Sequence, residues 1–154
     1  MTSDEDPIER AAADLRVLHR RAVERSLAQL PPGRPSEAMP SFALRMSDLG
    51  TVAEETGEPG ERGADPLYAA LFVGAAEGRV RALAVVTGIT MHHEHTGVAH
   101  EALAIDLEHR DAPPVTFYVM VDRGGDAPRV ERTIPTDGRA MVFPKDARDD
   151  APGR

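Results

Sequence analysis

The stretch Arg79–Val121, RVRALAVVTGITMHHEHTGVAHEALAIDLEHRDAPPVTFYVMV, decides the fold. In its first third the odd positions Leu83, Val85, Ile89 and Met91 are large, and the even positions Ala82, Ala84, Val86 and Gly88 are small or smaller. In the second third Leu103, Ile105 and Leu107 alternate with Ala104, Asp106 and Glu108. In the last third Val115, Phe117, Val119 and Val121 alternate with Thr116, Tyr118 and Met120. Alternation with a period of two, rich in branched side chains, is the pattern of a half-buried strand. Three consecutive antiparallel strands are therefore expected. Pairing Leu103 with Met91 and Ile105 with Ile89 gathers the large residues on one face and centres the first turn on Gly97.

Three bare strands are marginal in water, so a helix must cover them. Leu67–Glu77 is apolar nearly all round, follows Asp65-Pro66 and precedes Gly78, the pattern of a capped, buried helix. It is the expected cover for the large-residue face. A longer helix is expected from Pro7 to about Leu30, with Asp6 as its N-cap and Pro7 at its first position. Between the helices, Ser41–Met46 alternates as a strand and Thr51–Ala53 reads as a short returning one. Residues 31–40, opened by Pro31-Pro32-Gly33, and residues 54–65 read as loops. From Asp48 to Asp65 there are six acids against the single base Arg62, which favours a mobile loop. Val130–Ile134 and Ala140–Phe143 suggest a final hairpin.

The expected fold is thus α+β: an antiparallel sheet of about five strands, with a three-strand meander at its centre, packed with two helices in the order α-β-β-α-β-β-β. This order resembles that of profilin-like and roadblock-like modules, a likeness of scaffold that implies no one function. Residues 7–143 form the single domain, between a disordered N-terminus at 1–6 and a disordered tail at 144–154.

Composition narrows the function. The 154-residue chain has a net charge of −8, which argues against nucleic acid and anionic membrane as partners. No cysteine is present, so disulfide and thiol chemistry are excluded. The acidic N-terminal segment lacks the apolar core of a signal peptide, and the cytoplasm is the expected location.

Four of the six histidines fall within nine residues at the first hairpin: His92, His93, His95 and His100. In the register above, His93, His95 and Glu101 lie towards one face, and His92, Glu94 and His100 towards the other. Either set offers nitrogen and oxygen ligands suited to zinc or another divalent metal. His93-Glu94-His95 resembles the His-X-His of cupins, whose further motif does not follow. Asp106 and Glu108 share a face and form a candidate carboxylate pair, with Arg110 on the same side. Interaction surfaces are expected at Arg16, Arg20 and Arg21 on the first helix, and at the small sheet face made by Ala82, Ala84 and Val86 with Tyr118. The first helix either fills that face or projects and leaves it to a partner or a second copy. The sequence points to a non-catalytic protein-interaction or regulatory module. The alternative is a divalent-metal protein, or a metal-dependent enzyme, built on the histidine hairpin.

Overall fold

A computed structural model describes residues 6–143; the expected tail at 144–154 and positions 1–5 lie outside the described residues. The chain runs α1 (Pro7–Gln29), a single 3-10 turn (Ser36–Ala38), β1 (Pro40–Met46), β2 (Val52–Pro59), α2 (Gly60–Ala76), β3 (Ala82–His92), β4 (Ala99–His109), β5 (Ala112–Asp122) and β6 (Arg129–Asp137). The strands form one antiparallel sheet in the order β2-β1-β3-β4-β5-β6. The expected class and element order hold, with six strands rather than about five.

Helix α1 begins where Asp6 accepts a hydrogen bond from the Ile8 amide at 2.9 Å. It packs on β3, β4 and β5 and buries Ala11, Leu18 and Ala22. Helix α2 packs on β1, β2 and β3, and its buried side chains join Ala43, Leu83 and Val85 across the opposite face. The sheet therefore carries one helix on each face.

The β3–β4 register departs from expectation. Leu103 lies opposite Gly88, Ile105 opposite Val86 and Leu107 opposite Ala84, not opposite the large odd residues of β3. The shift is three residues, and an odd shift moves every side chain to the other face. Small residues of β3 thus share the α1 face with the large residues of β4 and β5. Leu83 and Val85 are left for α2. Both faces obtain a core, each large buried side chain contributing about 1.5–3 kcal/mol. Gathering all the large residues on one face would have left α1 nothing to bury.

Gly88 shows why smallness matters on the α1 face. The 3-10 turn crosses directly over it, and a Cβ at position 88 would stand 1.8 Å from the Ser36 carbonyl oxygen. Glycine within a strand often marks such a close backbone approach.

The expected loop at 54–65 is not a loop. Strand β2 continues to Pro59 and α2 starts at Gly60. The acids belong to a solvated edge strand, where charge discourages pairing with other chains, and Glu54 and Glu55 hold Arg25 and Arg45. Gly57 and Gly63 let the strand and helix touch: a Cβ on Gly63 would meet the Glu58 carbonyl oxygen at 1.6 Å. Pro66 accordingly lies inside α2 rather than at its start. Nor is there a last hairpin strand at Ala140–Phe143. After β6 the chain crosses back over the α2 face and buries Val142 beside α2.

A polar clamp fastens α1 to the sheet. Asp14 accepts hydrogen bonds from Arg81 Nη2 and His109 Nε2, both at 2.9 Å. His109 Nδ1 accepts the Asp111 amide at 3.0 Å, so the ring is held as the tautomer protonated on Nε2. Arg110 does not stay beside Asp106 and Glu108; it reaches Asp48 in the β1–β2 turn at 2.7 Å.

Gly88→Ala is expected to lower stability by about 1–3 kcal/mol in urea unfolding. Gly125→Ala, whose Cβ would meet only ordinary contact at 3.9 Å, should stay within about 0.5 kcal/mol of the parent. Burial raises the Asp14 pKa, but the hydrogen bonds from His109 and Arg81 outweigh it and hold the carboxyl below its ordinary value. Its stabilisation is therefore present above the unfolded value and lost as pH falls through the lower, folded one. Asp14→Asn should be less stable near neutrality and should flatten the acid limb of the stability–pH curve below about pH 4.

Candidate functional site

Because α2 reaches chiefly β1–β3, no helix lies on the same face over β4–β6 among the described residues. Ile89, Met91, Tyr118, Met120 and Ile134 remain half-buried there, and two hollows border this open half.

The hollow beside α2 encloses about 340 Å³ and is bordered by Glu61, Asp65, Tyr68, Asp106, Tyr118, Asp137 and Arg139, among others. Both tyrosines of the chain stand here. At its floor the Tyr68 hydroxyl donates to Asp106 Oδ2 and the Thr116 hydroxyl to Asp106 Oδ1, each at 2.6 Å. Burial, then the charge of Asp106, pushes the Tyr68 phenol far above its ordinary value. Tyr68 therefore remains a proton donor to Asp106 and cannot serve as a base near neutrality.

Glu108 does share the Asp106 face, as its position in β4 predicts. It is buried to 2% exposure, and its Oε1 accepts the backbone amides of Met141, Val142 and Phe143 at 3.0–3.2 Å. Its other oxygen has no hydrogen-bond partner among the described residues. Burial raises the Glu108 pKa against the lowering effect of the three amides. Asp106 and Glu108 are thus fixed to separate structural partners and do not form a free acid–base pair.

The second hollow, about 740 Å³, lies at the β3–β4 tip and is bordered by His92, His93, Glu94, His95, His100 and Glu131 with Met91, Met120 and others. The observed register replaces the expected turn centre at Gly97 with the six-residue loop His93–Val98, in which the His93 amide donates to the Val98 carbonyl at 3.0 Å. The expected division into two opposed triads therefore does not hold: all four histidines border one hollow. Glu101 is turned to the α1 face, where Oε1 accepts the Ser36 amide at 2.7 Å and the Ser36 hydroxyl at 2.9 Å beside Arg123. Glu131 of β6 takes its place near the cluster, 2.7 Å from His100 Nε2. His93 Nδ1 accepts the amides of His95 and Thr96 at 3.2 and 3.3 Å. Among the described residues, no three His, Asp or Glu side chains converge on a common metal position.

The expected interaction residues separate. Ala82, Ala84 and Val86 are fully buried beneath α1, which fills this face rather than projecting. Tyr118 pairs with Ala104, which in turn pairs with Thr87, so it belongs to the opposite, open face. Arg16, Arg20 and Arg21 are exposed on α1.

Sequence reasoning missed the Tyr68–Asp106–Thr116 group, the Glu108 anchor and the Asp14 clamp. Asp106 carried a readable signal, an acid alternating with Ile105 and Leu107 in a strand. Its partners lie 38 and 10 residues away, and only the fold selects them.

No family model, curated protein or solved structure matches the chain.

Glu108 tests this account of the buried carboxylates. The raised pKa means that the charged form is penalised in the fold, so stability is gained as pH falls through the folded value towards the ordinary 4.5. Glu108→Gln keeps an acceptor for the three amides and should flatten that pH limb with little loss of stability at pH 7. Glu108→Ala leaves three amides unpaired and should destabilise by about 1–3 kcal/mol or more in chemical denaturation.

Proposed function

We propose that the chain is a non-catalytic protein-interaction module that seats a basic, apolar-anchored segment of a protein partner on the open half of the α2 face. One observation carries the reading: α2 stops at β3, leaving Ile89, Met91, Tyr118, Met120 and Ile134 half-exposed on a sheet face with no helix over it. The neighbouring hollow supplies Glu61, Asp65, Asp106 and Asp137 against Arg139, so its charge favours a cationic occupant. Tyr118 offers a ring over which a lysine or arginine side chain can lie. The ionisable groups Tyr68, Asp106 and Glu108 support a binding role rather than catalysis, since each is held by hydrogen bonds within the fold. The same reading places the chain in the cytoplasm with a protein, not nucleic acid or membrane, as partner. This agrees with its net charge of −8 and with the absence, among the described residues, of any helix long and apolar enough to cross a membrane.

A second reading rests on the four histidines and Glu131 around the tip hollow. A divalent ion, zinc among the candidates, would be recruited there by rotation of side chains already gathered in one place. It predicts stoichiometric metal in chelator-free protein that His93→Ala and His100→Ala both lose.

The primary reading is tested with a 12-residue peptide of alternating leucine and lysine, titrated into isotope-labelled protein. Amide shifts should concentrate on β4–β6 around Ala104, Tyr118 and Ile134, and binding should weaken several-fold in Asp65→Asn/Asp137→Asn. A leucine–glutamate peptide should not bind. Equal binding of both peptides, or shifts confined to the α1 side, would overturn it.

A further inference from the structure

Two methionines border the tip hollow together with its histidines. Met39 and Met46 are buried in the core packed on α1, where a flexible thioether fills space. Met91 and Met120 are only half-buried, on the open face of the sheet. The register sets them on either side of His100. Met91 of β3 is its direct cross-strand partner. Met120 of β5 pairs with Ala102, two residues along β4 from His100 and on the same face, so Met120 is a diagonal neighbour of His100. Directly opposed Cβ atoms lie about 4.5–5.5 Å apart and diagonal positions about 7–8 Å, within reach of long side chains. Ala102 is fully buried although no helix among the described residues lies on this side, so its larger neighbours close over it.

We propose that Met91, His100 and Met120 form a binding site for monovalent copper, Cu(I), with two thioether sulfurs and one imidazole nitrogen as ligands. Soft thioether sulfur favours Cu(I), and imidazole suits copper as well. Three further features fit this ion. First, His100 is prepared as a ligand. Its Nε2 stands 2.7 Å from Glu131 Oε2. A ring that donates there keeps Nδ1 for a metal and is oriented by the carboxylate, the usual arrangement around a metal-bound histidine. Second, His93 is otherwise engaged. Its Nδ1 accepts the amides of His95 and Thr96, so the neutral ring carries its proton on Nε2 and has no lone pair left for an ion. The thioethers supply what that imidazole does not. Third, Arg132 pairs opposite Met120 and borders the hollow. Its positive charge repels any cation, but a monovalent one half as much as a divalent one.

The site lies in the hollow of the divalent-ion reading but differs from it in ion and ligands, and it needs no peptide partner. The three readings are therefore tested apart.

Anaerobic titration of the full chain with Cu(I), in competition with the coloured chelator bathocuproine disulfonate, tests the proposal. The chain should withdraw one equivalent of Cu(I). Glu131→Ala removes the carboxylate that orients His100 and should weaken binding about tenfold. Met91→Leu and Met120→Leu keep size and apolarity, so the circular dichroism spectrum should not change. Each should weaken binding at least as much as Glu131→Ala, and together they should abolish it. His100→Ala should abolish it too, and His93→Ala should leave it unchanged. In methyl-labelled protein the Met91 and Met120 signals should shift on loading, and those of Met39 and Met46 should not. Failure to withdraw Cu(I), binding retained by the double methionine variant, or binding lost in His93→Ala would overturn the proposal. Zinc lost from His93→Ala but kept by the methionine variants, with no Cu(I) withdrawn, would retain the divalent-ion reading and overturn this one.

Discussion

The β3–β4 register is the constraint from which the rest of the molecule follows. With Leu103, Ile105 and Leu107 opposite Gly88, Val86 and Ala84, one face combines small residues at the centre with large ones beside them. That shape admits α1 and the 3-10 turn at close range. The other face receives Leu83 and Val85 from β3 but acids and alanines from β4, and α2 packs over its β1–β3 half. The placement of α2, and the open area next to it, are consequences of the same pairing.

Polar contacts then lock what packing has arranged. Asp14 joins α1 to Arg81, just before β3, and to β4 through His109. Glu101 ties the linker after α1 to the sheet through Ser36, and Glu108 ties the returning C-terminal segment through three amides. Three carboxylates thus fasten three segments to the sheet. Removing one partner from such a buried pair is more damaging than the pair's net worth, because the remaining polar groups are left without compensation. These acids are therefore structural, and the surfaces left for recognition are those they do not use: the open sheet half and the histidine tip.

Strand and helix identities were readable where a local pattern was strong. Asp6-Pro7 marks the start of α1, and the alternations in β3, β4 and β5 mark strands with their correct internal parity. The reading failed where one pattern had two physical causes. Acid and glycine between 54 and 65 suit a mobile loop, but they equally suit a solvated edge strand whose glycines touch a helix. Likewise the odd positions of β3 and β4 are both large, and pairing like with like is the natural guess when neither face is known to be covered. The candidate site suffered directly. With the register displaced by three, Glu101 was assigned to the histidines although it serves the Ser36 turn, and Tyr118 was assigned to the buried face.

By itself, the sequence determined which segments alternate, which side chains within each strand share a face and that the net charge is acidic. These follow from the chemistry and spacing of neighbours along the chain. Which faces of different strands coincide was decided only in three dimensions, because every odd shift of register satisfies the local pattern equally and reverses the assignment. Packing chose among them: only the observed register gives each helix an apolar bed and gives the 3-10 turn the space that Gly88 leaves. The gathering of four histidines and the union of Tyr68, Asp106 and Thr116 depend on that choice.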